Sequence, residues 1–113
     1  MSSASGGGDP ANSVTLVGVI VDAPDRRRSP AGVPVTRFLL EHGSTQPEAG
    51  TQRPIRFRVG VRASGEGPGE FARGLAAGET VCVEGFLARI RQQEGDNRLI
   101  VCATHIERVP DDQ

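Results

Sequence analysis

All thirteen basic side chains of this sequence are arginines, and their spacing suggests a chemistry. A guanidinium is planar, forks onto phosphate and stacks on bases, which an ammonium cannot do. Arg26, Arg27 and Arg28 are consecutive in D-R-R-R-S-P-A-G. Arg56, Arg58 and Arg62 alternate with apolar residues in I-R-F-R-V-G-V-R. Between Arg26 and Arg62 there are eight arginines and two acids, Glu41 and Glu48, a local charge of +6 on a chain whose net charge is −1. Residues 63–113 reverse the balance, with five arginines and nine acids. A field screened beyond roughly 10 Å acts locally, so such a zone can bind a polyanion.

Other chemistries find little support. His42 and His105 fall on different predicted strands, with no nucleophile and carboxylate arranged beside either. The run G-E-G-P-G-E lacks the G-K-[ST] ending of a phosphate loop and reads as a turn before a helix. The acids are dispersed, which argues against a metal-dependent nuclease. Cys82 and Cys102 lie in apolar runs without metal-ligand or redox spacing and read as reduced core thiols. No catalytic residue, metal site or cofactor is expected, and the chain is not read as an enzyme.

The elements that must position the arginines are mostly strands. The β-branched run Val14–Val21 predicts the first, and Val35–His42 the second. Strict alternation in Ile55–Arg62 predicts the third. Glu70–Gly78 fits one or two helical turns ending at glycine. Glu79–Ile90 and Arg98–Val109 predict the fourth and fifth strands around a Q-Q-E-G-D-N turn. Gly43–Pro54 is read as a polar loop. The order predicts an all-β, five-stranded OB-fold Greek-key barrel with a short helix between strands 3 and 4, ahead of an SH3-like barrel. Residues 1–12 predict a disordered tail, 13–109 the barrel and 110–113 a polar end. No signal-peptide pattern or membrane-length apolar run is present, so a soluble, cytoplasmic protein without a membrane partner is expected.

Side-chain alternation assigns the faces. Ile55, Phe57, Val59 and Val61 point to the core; Arg56, Arg58 and Arg62 point outward. On the second strand Thr36, Phe38 and Leu40 face the core, and Arg37 and Glu41 face out. Phe71 is expected to anchor the helix, and Phe86 to lie in the core or an interface. In this fold the second and third strands carry nucleic acid, with loops 1–2 and 4–5 closing over it. The expected nucleic-acid-binding set is Arg26, Arg27, Arg28, Arg37, Arg56, Arg58, Arg91 and Arg98. With no Trp or Tyr to stack bases, binding should be mainly electrostatic. The first strand is apolar on both faces, so Val17, Val19 and Val21 are expected to bury their face in a homodimer.

The stretches L-V-G-V-I-V-D-A-P, S-P-A-G-V-P, F-L-L-E-H, E-A-G and V-E-G-F-L, in register from Asn12 to Val109, resemble the primosomal replication protein N (PriB) family, related to bacterial single-stranded-DNA-binding protein. The resemblance implies a dimeric OB-fold accessory of replication restart. Such a protein would bind single-stranded DNA, a PriA-type restart helicase and a DnaT-type helicase-loading partner. It carries DNA-contacting positions onto Arg27, Arg91 and Arg98. An aromatic stacking position of the family is Arg56 here, a basic one is Gly43, and a loop lysine is Gln93, near Glu94 and Asp96. These departures keep a second reading in play: an adaptor that docks the helicase with vestigial DNA binding.

Overall fold

The computed structural model describes residues 9–91 and 97–110, with the side chains of residues 91 and 97 left aside. Its strands are β1 (Val14–Ile20), β2 (Asp25–Arg28), β3 (Pro34–Glu48), β4 (Thr51–Ser64), β5 (Thr80–Arg91) and β6 (Asn97–Arg108). A single π-helical turn, Gly65–Gly69, runs into the short helix α1, Glu70–Ala72. The sheet order is β1-β5-β6-β4-β3-β2, and β1 also pairs with β3. Five strands therefore close a barrel, and β2 adds a short edge strand to β3. Every pairing in the closed set is antiparallel except β4 with β6. This is the OB arrangement expected from the element order.

Alternation fills the barrel. Leu40, Val61, Val81, Val83 and Val101 are sealed in one core, which Ala72 and Leu75 cap from the helical segment. Each sealed valine or leucine contributes about 1.5–3 kcal/mol through burial. Closure brings backbones close at two glycines. A Cβ on Gly18 would sit 2.5 Å from the Glu41 carbonyl oxygen, where β1 crosses β3. One on Gly85 would sit 2.0 Å from the Cys102 carbonyl oxygen. There the β5–β6 register shifts: Glu84 pairs with His105 and Gly85 with Ala103, so Thr104 is the extra residue of a bulge. The Thr104 hydroxyl donates to the Glu84 carbonyl at 3.2 Å.

Several expectations need correction. Gly43–Pro54 is no loop. β3 and β4 stay paired out to Glu48 and Thr51 and turn through Ala49 (φ 53°) and Gly50 (φ 79°), the left-handed pair that a two-residue hairpin requires. The α-helix covers only Glu70–Ala72, short of the one or two turns read within Glu70–Gly78. Phe57 has core phase but lies where the hairpin outruns the barrel, so it is exposed, tilted against His42 at 5.1 Å between ring centroids. Phe71 is also exposed, with the Arg108 guanidinium 5.2 Å from its ring; Ala72 and Leu75 anchor this segment instead. Phe86 is exposed on the outer face of β5. Both cysteines are free thiols; Cys102 is buried as expected, whereas Cys82 is only half-buried. Burial pushes the Cys82 thiol up, with Glu84 and Glu107 adding to the effect, so it is a poor nucleophile.

Candidate nucleic-acid interface

The outer face of β3, β4 and β6 is built in rows. Cys102, Arg62 and Arg37 stand side by side across the three strands, and Asp25 of β2 follows. The next row is Ile100, Gly60 and Leu39. Gly60 carries no side chain, so the middle of this face is a depression. The depression is a groove lined by Leu39, Ile90 and Ile100 along its floor, by Arg37, Arg62 and Arg98 among its walls, and by Asp22, Ala23 and Asp25 from the connection after β1. Its apolar floor fits the face of a base, and its guanidiniums can hold phosphate. Among the described residues Arg37 makes no hydrogen bond or ion pair, so its donors are available. Arg62 lays its Nη2 on the Cys102 thiol at 3.3 Å and keeps its other donors.

The expected site residues divide into groups. Arg37 and Arg98 lie in the groove, joined by Arg62, which belongs to the alternating set but not to the expected site. Leu39, Ile90, Ile100 and Asp22 were not anticipated as lining; the signal for Leu39 was its place between core-facing Phe38 and Leu40. Arg56 and Arg58 share the outer face but converge on one carboxylate. Arg56 Nη1 donates to Glu41 Oε2 at 2.9 Å, and Arg58 Nη2 lies 3.2 Å from Glu41 Oε1. The stripe that looked free of acids along β4 is thus partly neutralised by its neighbour on β3. Both pairs are exposed, so an incoming phosphate competes with them at little cost.

β2 splits the triple arginine by alternation. Arg27 faces the same way as Asp25 and pairs with it, Nε to Oδ2 at 2.9 Å. Arg26 and Arg28 face the helical segment. Arg26 donates from Nε to the Arg73 carbonyl at 2.7 Å, from Nη2 to Leu75 at 3.3 Å and from Nη1 to Pro24 at 3.3 Å. It therefore ties β2 to the carbonyls left open where α1 ends. Arg28 Nη1 donates to the Gly32 carbonyl at 2.9 Å and closes its own turn. Arg91 ends β5; its side chain and loop residues 92–96, with Gln93, Glu94 and Asp96, fall outside the described residues.

Val17 and Val19, from the expected dimer face, are 44% and 41% exposed on the outside of β1. Val21 lies just past the strand, half-buried, its N–H donating to the Leu39 carbonyl at 2.9 Å. β1 meets β3 only at Val19 and Ile20, so among the described residues Val14 to Gly18 have no strand neighbour on that side. There His42 bonds to β1: the Val17 oxygen accepts at 2.8 Å, which places a proton on Nδ1, while Nε2 meets Ser44 Oγ at 2.8 Å. Among the described residues no three His, Cys, Asp or Glu side chains gather as a metal site would, and no helix is long and apolar enough to cross a membrane.

Comparison with known proteins agrees with this geometry. A family described as another single-strand binding protein family matches residues 12–105. The replication restart protein PriB of Erwinia tasmaniensis is 35% identical over 99 residues, 88% of this chain and 94% of that one. PriB of Photobacterium profundum is 40% identical over 96 residues, 85% of this chain and 92% of its own. The solved PriB structure from Ralstonia solanacearum superposes with a TM-score of 0.74 at 27% identity, covering 88% of this chain and 98% of that one. The single-stranded DNA binding protein of Thermus aquaticus superposes with a TM-score of 0.72 at 28% identity, and this chain spans 50% of its length.

Proposed function

The chain belongs to the PriB family of single-strand-binding proteins, and on that premise we propose that it is an accessory of the replication-restart primosome that binds single-stranded DNA and helps assemble the restart helicase complex. The observation that carries this reading is the groove: an apolar floor of Leu39, Ile90 and Ile100 walled by Arg37, Arg62 and Arg98. Bases lie on the floor, and guanidiniums take the phosphates. A duplex buries its base faces in its own stack, so the groove selects single strands. With no Trp or Tyr in the chain, phosphate contacts dominate and binding falls steeply with salt. The protein binds without catalysing.

Two copies associate through β1. Its open edge and the exposed Val17 and Val19 suit a symmetric contact, because a strand with free backbone groups and an apolar face gains by meeting its own copy. The restart helicase and the helicase-loading partner implied by family resemblance are the further partners of this dimer. Neutralisation of Arg56 and Arg58 by Glu41 favours a second reading, an adaptor whose main task is helicase docking with weak DNA binding.

Fluorescence anisotropy of labelled oligo-dT, single- and double-stranded, over a salt series separates the two. Preference for single strands, a steep salt slope and a loss of tenfold or more in Arg37→Ala/Arg62→Ala support the groove; each good charge-assisted bond is worth about 1.5–3 kcal/mol. No binding at low salt, with helicase binding retained, establishes the adaptor instead.

A further inference from the structure

β4 runs beside β6 only from Gly60 to Ala63, against Ile100 to Ala103, and then turns off into the helical segment. Past that point, among the described residues, 104–108 have β5 on one side and no strand on the other. The bulge at Thr104 bends β6 where β4 leaves it. Such an edge offers backbone donors and acceptors to an incoming strand. Between this edge and the helical segment lies a cleft of about 230 Å³, lined by Gly67, Pro68, Phe71, Thr104, His105 and Ile106. Phe71 is 37% exposed, although Ala72 and Leu75 of the same segment are sealed in the core. The cleft shares no residue with the groove.

The rim of the cleft is acidic. Glu66 and Glu70 adjoin lining residues of the helical segment, and Glu107 follows Ile106 on β6. Glu66 is exposed and makes no hydrogen bond or ion pair among the described residues. The nearby arginines are already matched: Glu79 holds Arg108, which lies over the Phe71 ring, and Glu70 stands 3.7 Å from Arg73. Glu66 and Glu107 are left, with only His105 beside Glu107 at 3.5 Å. Complementary charge steers a partner and fixes its register, so this rim favours a cation. We propose that the cleft docks an extended segment of a protein partner. The segment adds a strand to β6, seats an apolar side chain on Pro68, Phe71 and Ile106, and carries basic residues on either side. Neither end of this chain supplies such a segment: residues 1–13 hold no arginine or lysine, and residues 110–113 hold two acids. A second copy offers β2 as a basic edge strand, but D-R-R-R carries no apolar side chain.

The probe is a labelled peptide with the centre Val-Leu-Val and an Arg-Lys pair at each end. One control replaces its basic residues with Glu, and another replaces its apolar residues with Ser. Anisotropy should show binding of the probe and of neither control. Phe71→Ser should weaken it about tenfold, and Glu66→Lys several-fold, with oligo-dT binding unchanged in both. Arg37→Ala/Arg62→Ala should leave the peptide affinity as it is. Hydrogen exchange at the amides of residues 104–108 should slow when the peptide is bound. Thermal melting checks each fold; should Phe71→Ser melt early, Glu66→Lys decides alone. A probe that binds no better than its controls, or binds both cleft variants as it binds wild type, overturns the docking site. Unchanged exchange at residues 104–108 overturns strand addition. If the probe fails and Phe71→Ser converts a dimer to a monomer in sedimentation velocity, the cleft is an interface between copies and the proposal is overturned. Oligo-dT binding in the same samples judges the groove separately, and its loss with the peptide still bound leaves this site standing.

Discussion

Single guanidiniums with the same sequence context have different work to do here, and substitution should separate them. Arg26 holds three carbonyls, two of them on the segment after α1, so Arg26→Ala should cost about 1–3 kcal/mol in a urea melt. Arg27 is exposed and held only by Asp25; its replacement by Ala should leave stability within about 0.5 kcal/mol and weaken oligo-dT binding. Nothing in the run R-R-R tells these residues apart, because the partner of Arg26 lies 47 residues away. Glu41 is the same case in reverse. Its position opposite Arg58 is a matter of register between β3 and β4, so the acid balancing the arginine stripe could not be read along either strand alone.

Acid sensitivity also belongs to this scale. Arg108 donates to the Glu79 carboxylate at 2.7 Å and holds its pKa below the ordinary value, helped by the Ala76 N–H at 2.9 Å. A carboxyl depressed in the folded state stabilises the fold above its unfolded pKa and loses that contribution as pH falls through the folded value. Melting temperature should therefore drop on the acid side of the carboxylate range, and Glu79→Gln should blunt that drop. An unchanged acid limb in the variant would show that Glu79 carries none of it.

Among the elements, legibility followed burial. Ile55–Arg62 alternates because one face turns to the barrel: Val61 is sealed there and Ile55 and Val59 are half-buried, while Arg56 and Arg58 are exposed on the other face. The outer half of the β3–β4 hairpin has no buried face. From Thr45 to Pro54 every residue is exposed, pairing runs through the backbone, and two prolines interrupt the composition. A strand without a buried face leaves no periodic signature, so it read as a loop. Phe57 misled for a related reason: its phase was right, but strand length decides whether core phase meets a core. The close approach at Gly85 is an element-scale constraint as well. Its backbone must pass the Cys102 carbonyl where β6 bulges, so Gly85→Ala should lose about 3 kcal/mol or more, read as a lower urea midpoint. A variant of wild-type stability would mean that the bulge can relax.

For the molecule as a whole, the proposed dimer rests on the exposed outer face of β1. Val17→Glu places a charge on an exposed face, so the fold should persist while sedimentation velocity shifts from dimer to monomer. A dimer that survives the change would move the interface away from β1. The larger claim is that a chain of net charge −1 grips a polyanion by gathering a few arginines around an apolar groove. Chemical-shift mapping tests that claim most directly: isotope-labelled protein titrated with oligo-dT at low salt. The account predicts that amides of Leu39, Gly60 and Ile100 and the side-chain N–H resonances of Arg37, Arg62 and Arg98 move together with one binding curve. Shifts confined to β1, or a spectrum that does not change, would contradict it.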